Sequence, residues 1–138
     1  MSTYPEYMVA PMREDLTKAG YEQLMTPEEV EKAITQKGTV LLMVNSVCGC
    51  AAANARPAAK IATTGNKRPE KFVTVFAGME KAAVEKARSY MLPYPPSSPA
   101  IALFKDGKLV HMIERHQIEG RPAQAIADNL ATAFDQFC

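Results

Sequence analysis

The sequence predicts an α/β fold with one mixed central sheet and helices on both faces. Three observations point to it. Short runs of apolar and β-branched residues alternate with segments of helical periodicity. Strands separated by helices pair in parallel, because a parallel crossover takes a dozen or more residues. The last two strands are instead joined by Asp106-Gly107, a tight-turn pair, and so run antiparallel.

In chain order, a short helix is expected between Met8 and Gly20, stopped by the glycine. Thr26-Pro27-Glu28-Glu29 starts a second helix: Thr26 caps, Pro27 suits the first helical position, and Glu29 closes a capping box. Val30, Ala33 and Ile34 form its apolar face, and Gly38 ends it. A strand over about 39–46 follows, then Cys48-Gly49-Cys50 and a helix to about Thr63, kinked at Pro57. Lys71 to Phe76 is the next strand and Glu80 to Met91 the next helix. Pro93 to Pro99 carries too many prolines to be helical. Ala100 to Phe104 and Lys108 to Ile113 form the hairpin, and Arg121 to Phe137 an amphipathic last helix. The 138 residues read as a single domain, 1–25 an arm with a short helix and 26–138 the core. The arm carries Tyr4, Tyr7 and Met8, and covering a homodimer surface is one use for it.

Composition excludes several functions. A formal net charge of +1 gives no reason to expect nucleic acid or an acidic membrane surface as partner. No apolar run reaches the roughly 18 residues that span a bilayer, and the first residues lack the pattern of a signal peptide. A cytoplasmic location is expected. Three cysteines do not make a disulfide framework, so two of them this close together point to redox catalysis or metal binding.

The chemistry is expected at Cys48-Gly49-Cys50, at the end of a buried strand and the start of a helix. The first N–H groups of a helix lack internal partners and carry partial positive charge, which favours a thiolate. Cys48, at the outer edge of the turn, is the expected nucleophile, and Cys50 the more buried partner. Two cysteines one residue apart close a small ring on oxidation. Their α-carbons reach disulfide range only in a bent backbone, which Gly49 permits. A strained bond of that kind is easy to reduce. The same pair also suits a metal-binding module, with Cys138 as a third ligand, or two inert buried thiols. His111 and His116 read as surface groups, and Glu114 and Arg115 as ordinary surface pairs.

Cysteines after the first core strand, Pro57 within the following helix, Ser98-Pro99 before a strand and the Phe104-Lys105-Asp106-Gly107-Lys108 hairpin together resemble the thioredoxin fold over about residues 26–137. A narrower resemblance covers essentially the whole chain. Met12-Arg13-Glu14-Asp15-Leu16, Asn45-Ser46-Val47-Cys48-Gly49-Cys50-Ala51, Ala55-Arg56-Pro57, Pro95 to Pro99 and Phe137-Cys138 resemble the bacilliredoxin family. That resemblance implies thiol–disulfide exchange at a CXC motif. It implies removal of bacillithiol from S-thiolated client proteins, Cys48 attacking and Cys50 resolving, and disulfide isomerase activity is also attributed to the family. The low-molecular-weight thiol is then a co-substrate, with no bound cofactor and no metal.

By the same likeness Pro99 is cis and sets the Ser98 backbone against the cysteines. Leu42 stands where thioredoxins carry a buried acid, and Val47 where they carry tryptophan. Proton handling then falls to water, Asn45 or another group. Arg56 is a candidate for attracting the carboxylates of a small thiol. Tyr94, Pro96 and Ser97 are candidates for a substrate groove, and Cys138 for a further resolving or regulatory thiol.

Overall fold

The structure, a computed structural model, describes residues 2–138. Its elements are α1 (Glu6–Thr17), β1 (Glu22–Gln23), α2 (Pro27–Thr35), β2 (Thr39–Asn45), α3 (Arg56–Ile61), β3 (Lys71–Phe76), α4 (Lys81–Ser89), β4 (Ala100–Lys105), β5 (Lys108–Ile113), α5 (Arg115–Ile118) and α6 (Ala123–Phe137). The sheet order is β1-β3-β2-β4-β5. β3 pairs in parallel with β1 and β2, while β2–β4 and β4–β5 are antiparallel. The expected mixed sheet is therefore present.

Side-chain alternation along β2 and β4 builds two cores. Leu41, Met43, Ile101 and Leu103 pack with α3 and α6 on one face. Val40, Leu42, Val44, Ala102 and Phe104 pack with α2 and α4 on the other. Asp106 (φ 52°) and Gly107 (φ 83°) both take the left-handed conformation that a two-residue hairpin needs. The Asp106 carboxylate accepts from the Gly38 N–H at 2.8 Å, which fastens the hairpin to the end of α2.

Four features differ from the sequence reading. α1 begins earlier than expected, at Glu6, and runs through Pro11. Residues 2–25 are not an arm outside the core: Val9, Leu16, Tyr21 and Leu24 are all buried. β1, two residues long, is too short to show alternation. α5 is one turn, closed by a reciprocal cap between Glu114 and Gln117.

The helix after the cysteines is bent, and the bend is a wide turn over residues 51–55. There the Arg56 N–H bonds the carbonyl of Ala51, five residues back. Pro57 has no N–H, so the ladder cannot continue in register through it, and the wide turn takes up the mismatch.

Candidate active site

Chain direction explains where the site lies. β2 and β3 end at the same edge of the sheet where antiparallel β4 begins and β5 ends. Four connections therefore converge: Ser46 to Cys50 after β2, Ala77-Gly78 after β3, Ser98-Pro99 before β4, and Arg115 after β5. They enclose a cleft of about 260 Å³ that includes Ser46, Val47, Cys48, Gly78, Ser98 and Arg115, with Thr3 and Tyr4 of the amino-terminal segment. The Ser98–Pro99 peptide is cis, as is Leu92–Pro93.

Cys48 and Cys50 are both free thiols and both half-buried. The expected difference in burial is absent, because both lie on the first exposed turn after β2. Their electrostatics differ instead. The Cys48 Sγ accepts from the Cys50 N–H at 3.4 Å, and its own N–H donates to Ser46 Oγ at 3.2 Å. Burial pushes the Cys48 thiol up, but the Cys50 thiol, the N–H groups of Cys50 and Ala51 and the positive charge of Arg115 outweigh it, so Cys48 ionises below the ordinary thiol range. Burial and the adjacent Cys48 push Cys50 above that range, with Arg115 opposing. The two thiols thus differ as an attacking and a waiting group should.

Gly49 is exposed, has no left-handed backbone, and an added Cβ would meet nothing within 4 Å. In the dithiol this turn is helical and makes no use of a glycine's extra freedom; the bend expected of Gly49 belongs to the disulfide.

Asn45 is buried and fully engaged. Its Oδ1 accepts from the Ser46 N–H (2.9 Å) and Arg56 Nη1 (3.0 Å), and its Nδ2 donates to the Met12 carbonyl (3.1 Å). With both oxygen positions used, it has no means of relaying a thiol proton. The structure corrects the expectation that Arg56 attracts the carboxylates of a small thiol. Arg56 is buried, donates to Asn45 Oδ1 and the Ser46 carbonyl (2.9 Å), and its Nε lies 3.5 Å from Asp15 Oδ2. Its Nη1 fixes the strand end that carries Cys48, and its Nε ties that end to α1.

Arg115 holds the position that had been expected of Arg56. It lines the cleft, pairs with Glu119 at 3.2 Å, and its Nη1 donates to the Ser98 carbonyl at 3.4 Å. Its backbone N–H donates to Ser97 Oγ, also at 3.4 Å. The sequence reading missed it because a one-turn helix leaves no periodicity. The Glu114-x-x-Gln117 cap was the one available signal.

Tyr4 was also missed as a cleft residue. It folds onto its own chain, where the Thr3 N–H bonds the Gly78 carbonyl at 2.7 Å. Gly78 has φ +88°, and an added Cβ would lie 2.9 Å from the Tyr4 ring. Of the residues read as covering a dimer surface, Tyr4 is thus committed to the cleft, while Tyr7 stays exposed.

Pro96 lines a second cavity that shares Gly78 with the cleft. Tyr94 is exposed and lines neither. Cys138 lies near Thr39 and Lys105, where burial raises its thiol against the opposing influence of Thr39 and Lys105. That is the opposite end of β2 from Cys48. Seven strand residues at roughly 3.3 Å each put about 20 Å between them. Cys138 cannot resolve a disulfide at Cys48 within one chain, nor join Cys48 and Cys50 around one metal ion. Among the described residues no group of three or more His, Cys, Asp or Glu could hold a metal ion. Among the described residues no helix is long and apolar enough to cross a membrane.

The family model described as disulphide isomerase matches residues 4–138. A bacilliredoxin of Cytophaga hutchinsonii is 55% identical over 133 residues, 96% of this chain and 98% of that protein. A bacilliredoxin of Staphylococcus aureus is 50% identical, covering 98% of this chain and 93% of its own length. Among solved structures, oxidised thioredoxin from Plasmodium falciparum superposes with a TM-score of 0.60 at 16% identity, over 83% of this chain and 98% of that one. Malassezia sympodialis thioredoxin gives 0.59 at 12% identity, over 86% and 90%. At those identities the likeness is one of fold, and the fold is thioredoxin-like.

Proposed function

This chain belongs to the bacilliredoxin family of thiol–disulfide oxidoreductases, and from that premise we propose that it removes a low-molecular-weight thiol, bacillithiol by family, from S-thiolated client proteins. The observation that carries the reading is the asymmetry of two adjacent thiols, Cys48 in the cleft and favoured as thiolate by the Cys50 N–H and Arg115, Cys50 beside it and held as thiol.

The Cys48 thiolate attacks the small thiol's sulfur in the mixed disulfide. That S–S bond breaks, the client leaves as a thiolate and takes a proton, and the small thiol is now bonded to Cys48. Release then follows by either of two routes. Cys50, once deprotonated, attacks the Cys48 sulfur, expels the small thiol and leaves a Cys48–Cys50 disulfide for a reducing thiol to reopen. Alternatively the thiolate of a second small-thiol molecule attacks the bound small thiol's sulfur, the bond to Cys48 breaks, and the symmetrical small-thiol disulfide departs, leaving Cys48 as a thiolate. Exchange is fastest when the attacking thiol ionises near ambient pH, which favours Cys48 over Cys50. Arg115 faces the anion that forms. Such chemistry suits a reducing compartment, the cytoplasm.

The test is a model protein carrying one mixed disulfide, prepared with bacillithiol, glutathione or coenzyme A. Release of small thiol by the wild-type protein, abolished in Cys48→Ala, is the expected result, and the fastest substrate names the thiol. No release from any of the three overturns the reading. The family model's description supports a second reading, disulfide isomerase. It predicts that the protein restores a scrambled-disulfide client with no small thiol present.

A further inference from the structure

Beside the cysteine cleft, and meeting it at Gly78, is a cavity of about 430 Å³ lined by Gly78, Lys81, Val84, Glu85, Arg88 and Pro96. Arg88 lines it, and the Arg88 Nε is buried without a hydrogen-bond partner among the described residues. Neither Arg88 nor Lys81 belongs to an ion pair among the described residues. A buried donor of this kind costs stability until something accepts from it. Burial also lowers the proton affinity of the Arg88 guanidinium, with no acid opposing the change. Glu85 is the one carboxylate in the lining, set against two cations.

We propose that this cavity is the subsite for the anionic tail of the small thiol, with Arg88 and Lys81 taking its carboxylate while its sulfur reaches Cys48 through the cleft at Gly78. The inference rests on the dethiolation reading and deepens it. The arginine presents a planar fork that suits a carboxylate, and the lysine adds a point charge at the cavity's exposed side. Gly78 lines both cavities, and the Tyr4 ring packs where its Cβ would stand, so the tail and the sulfur lie on either side of Gly78 with the Tyr4 ring beside them. Pro96 also lines the cavity, so the proline-rich loop contributes to substrate binding through shape.

The experiment compares wild type with Arg88→Gln, Lys81→Gln and Arg88→Lys on two mixed disulfides of one model protein. One carries glutathione, which bears carboxylates, and the other cysteamine, which bears none. KM for the glutathione substrate should rise about tenfold or more in Arg88→Gln, on the scale of a lost charge-assisted bond, with kcat within about twofold. Lys81→Gln should show a smaller rise and Arg88→Lys partial recovery, and the cysteamine substrate should distinguish none of them. Equal KM values for wild type and both Gln variants overturn the subsite, as does an equal loss on both substrates.

A second readout does not depend on turnover. S-methylglutathione is titrated into Cys48→Ala protein while the backbone amides of α4 are followed by NMR. Shifts at Lys81 to Arg88 that vanish in Arg88→Gln support the subsite even if the wild type releases no thiol. No shift in α4, alongside normal release by wild type, overturns the subsite and leaves the dethiolation reading standing.

Discussion

Arg115 and Cys48 show how much of this chemistry rests on single side chains. Burial alone would make Cys48 a poor nucleophile, and its low ionisation depends on the Cys50 thiol, two backbone N–H groups and one guanidinium. The backbone donors come with the helical turn, whereas Arg115 is removable. Arg115→Gln should therefore move the Cys48 titration upward. Because the thiolate is the reactive form, alkylation by iodoacetamide at neutral pH should slow by about two- to fivefold, the scale of one solvent-exposed charge. It should recover at high pH, where ionisation is complete in both proteins. A pH–rate profile unchanged by the substitution would separate Arg115 from the thiolate. Of the site residues, Cys48, Cys50 and Pro99 were legible in the sequence because their chemistry is tied to residue type. Arg56 was misassigned because nothing in the sequence reveals that Asn45, Ser46 and Asp15 would surround it.

The first helix, α1, is fastened to the site by Arg13. Its guanidinium pairs with Glu80 (2.7 and 2.9 Å), reaches Glu6 (3.0 Å), and lies 5.3 Å from the Phe76 ring centre. Glu80 immediately precedes α4 and Phe76 ends β3, so one side chain joins three elements around the segment that carries Gly78. Arg13→Met should cost about 3 kcal/mol, because it leaves Glu80 largely buried and unpaired. Urea unfolding measures that loss, and faster proteolysis at Thr3 to Tyr7 should accompany it. A loss below about 1 kcal/mol would mean that solvent replaces the pair. The long elements were legible in the sequence: β2 is a continuous apolar run, and α2 and α6 carry helical periodicity. β1 and α5 were not, since two and four residues hold no period. The bend before Pro57 was foreseeable from the missing N–H, but its form as a five-residue turn was not.

Across the molecule the sheet divides its two ends between different tasks. One end gathers Cys48, Cys50, Ser98-Pro99, Arg115 and both cavities. The other holds the hairpin, Gly38 and Cys138. This polarity makes Cys138 dispensable for exchange within one chain, and Cys138→Ser should leave thiol release unchanged within about twofold. The polarity follows from strand direction, since parallel strands end together and the hairpin reverses, and the alternation of helices and strands already implied both. The membership of each end depended on register, which needs coordinates.

The central claim is that Cys48 takes the small thiol and the client departs. The most direct measurement is the intact mass of Cys50→Ala protein after one turnover with a bacillithiol mixed disulfide, followed by peptide mapping. The account predicts one added bacillithiol on Cys48 and free, reduced client. Client protein captured on Cys48, or a small thiol found on Cys138 instead, would contradict it.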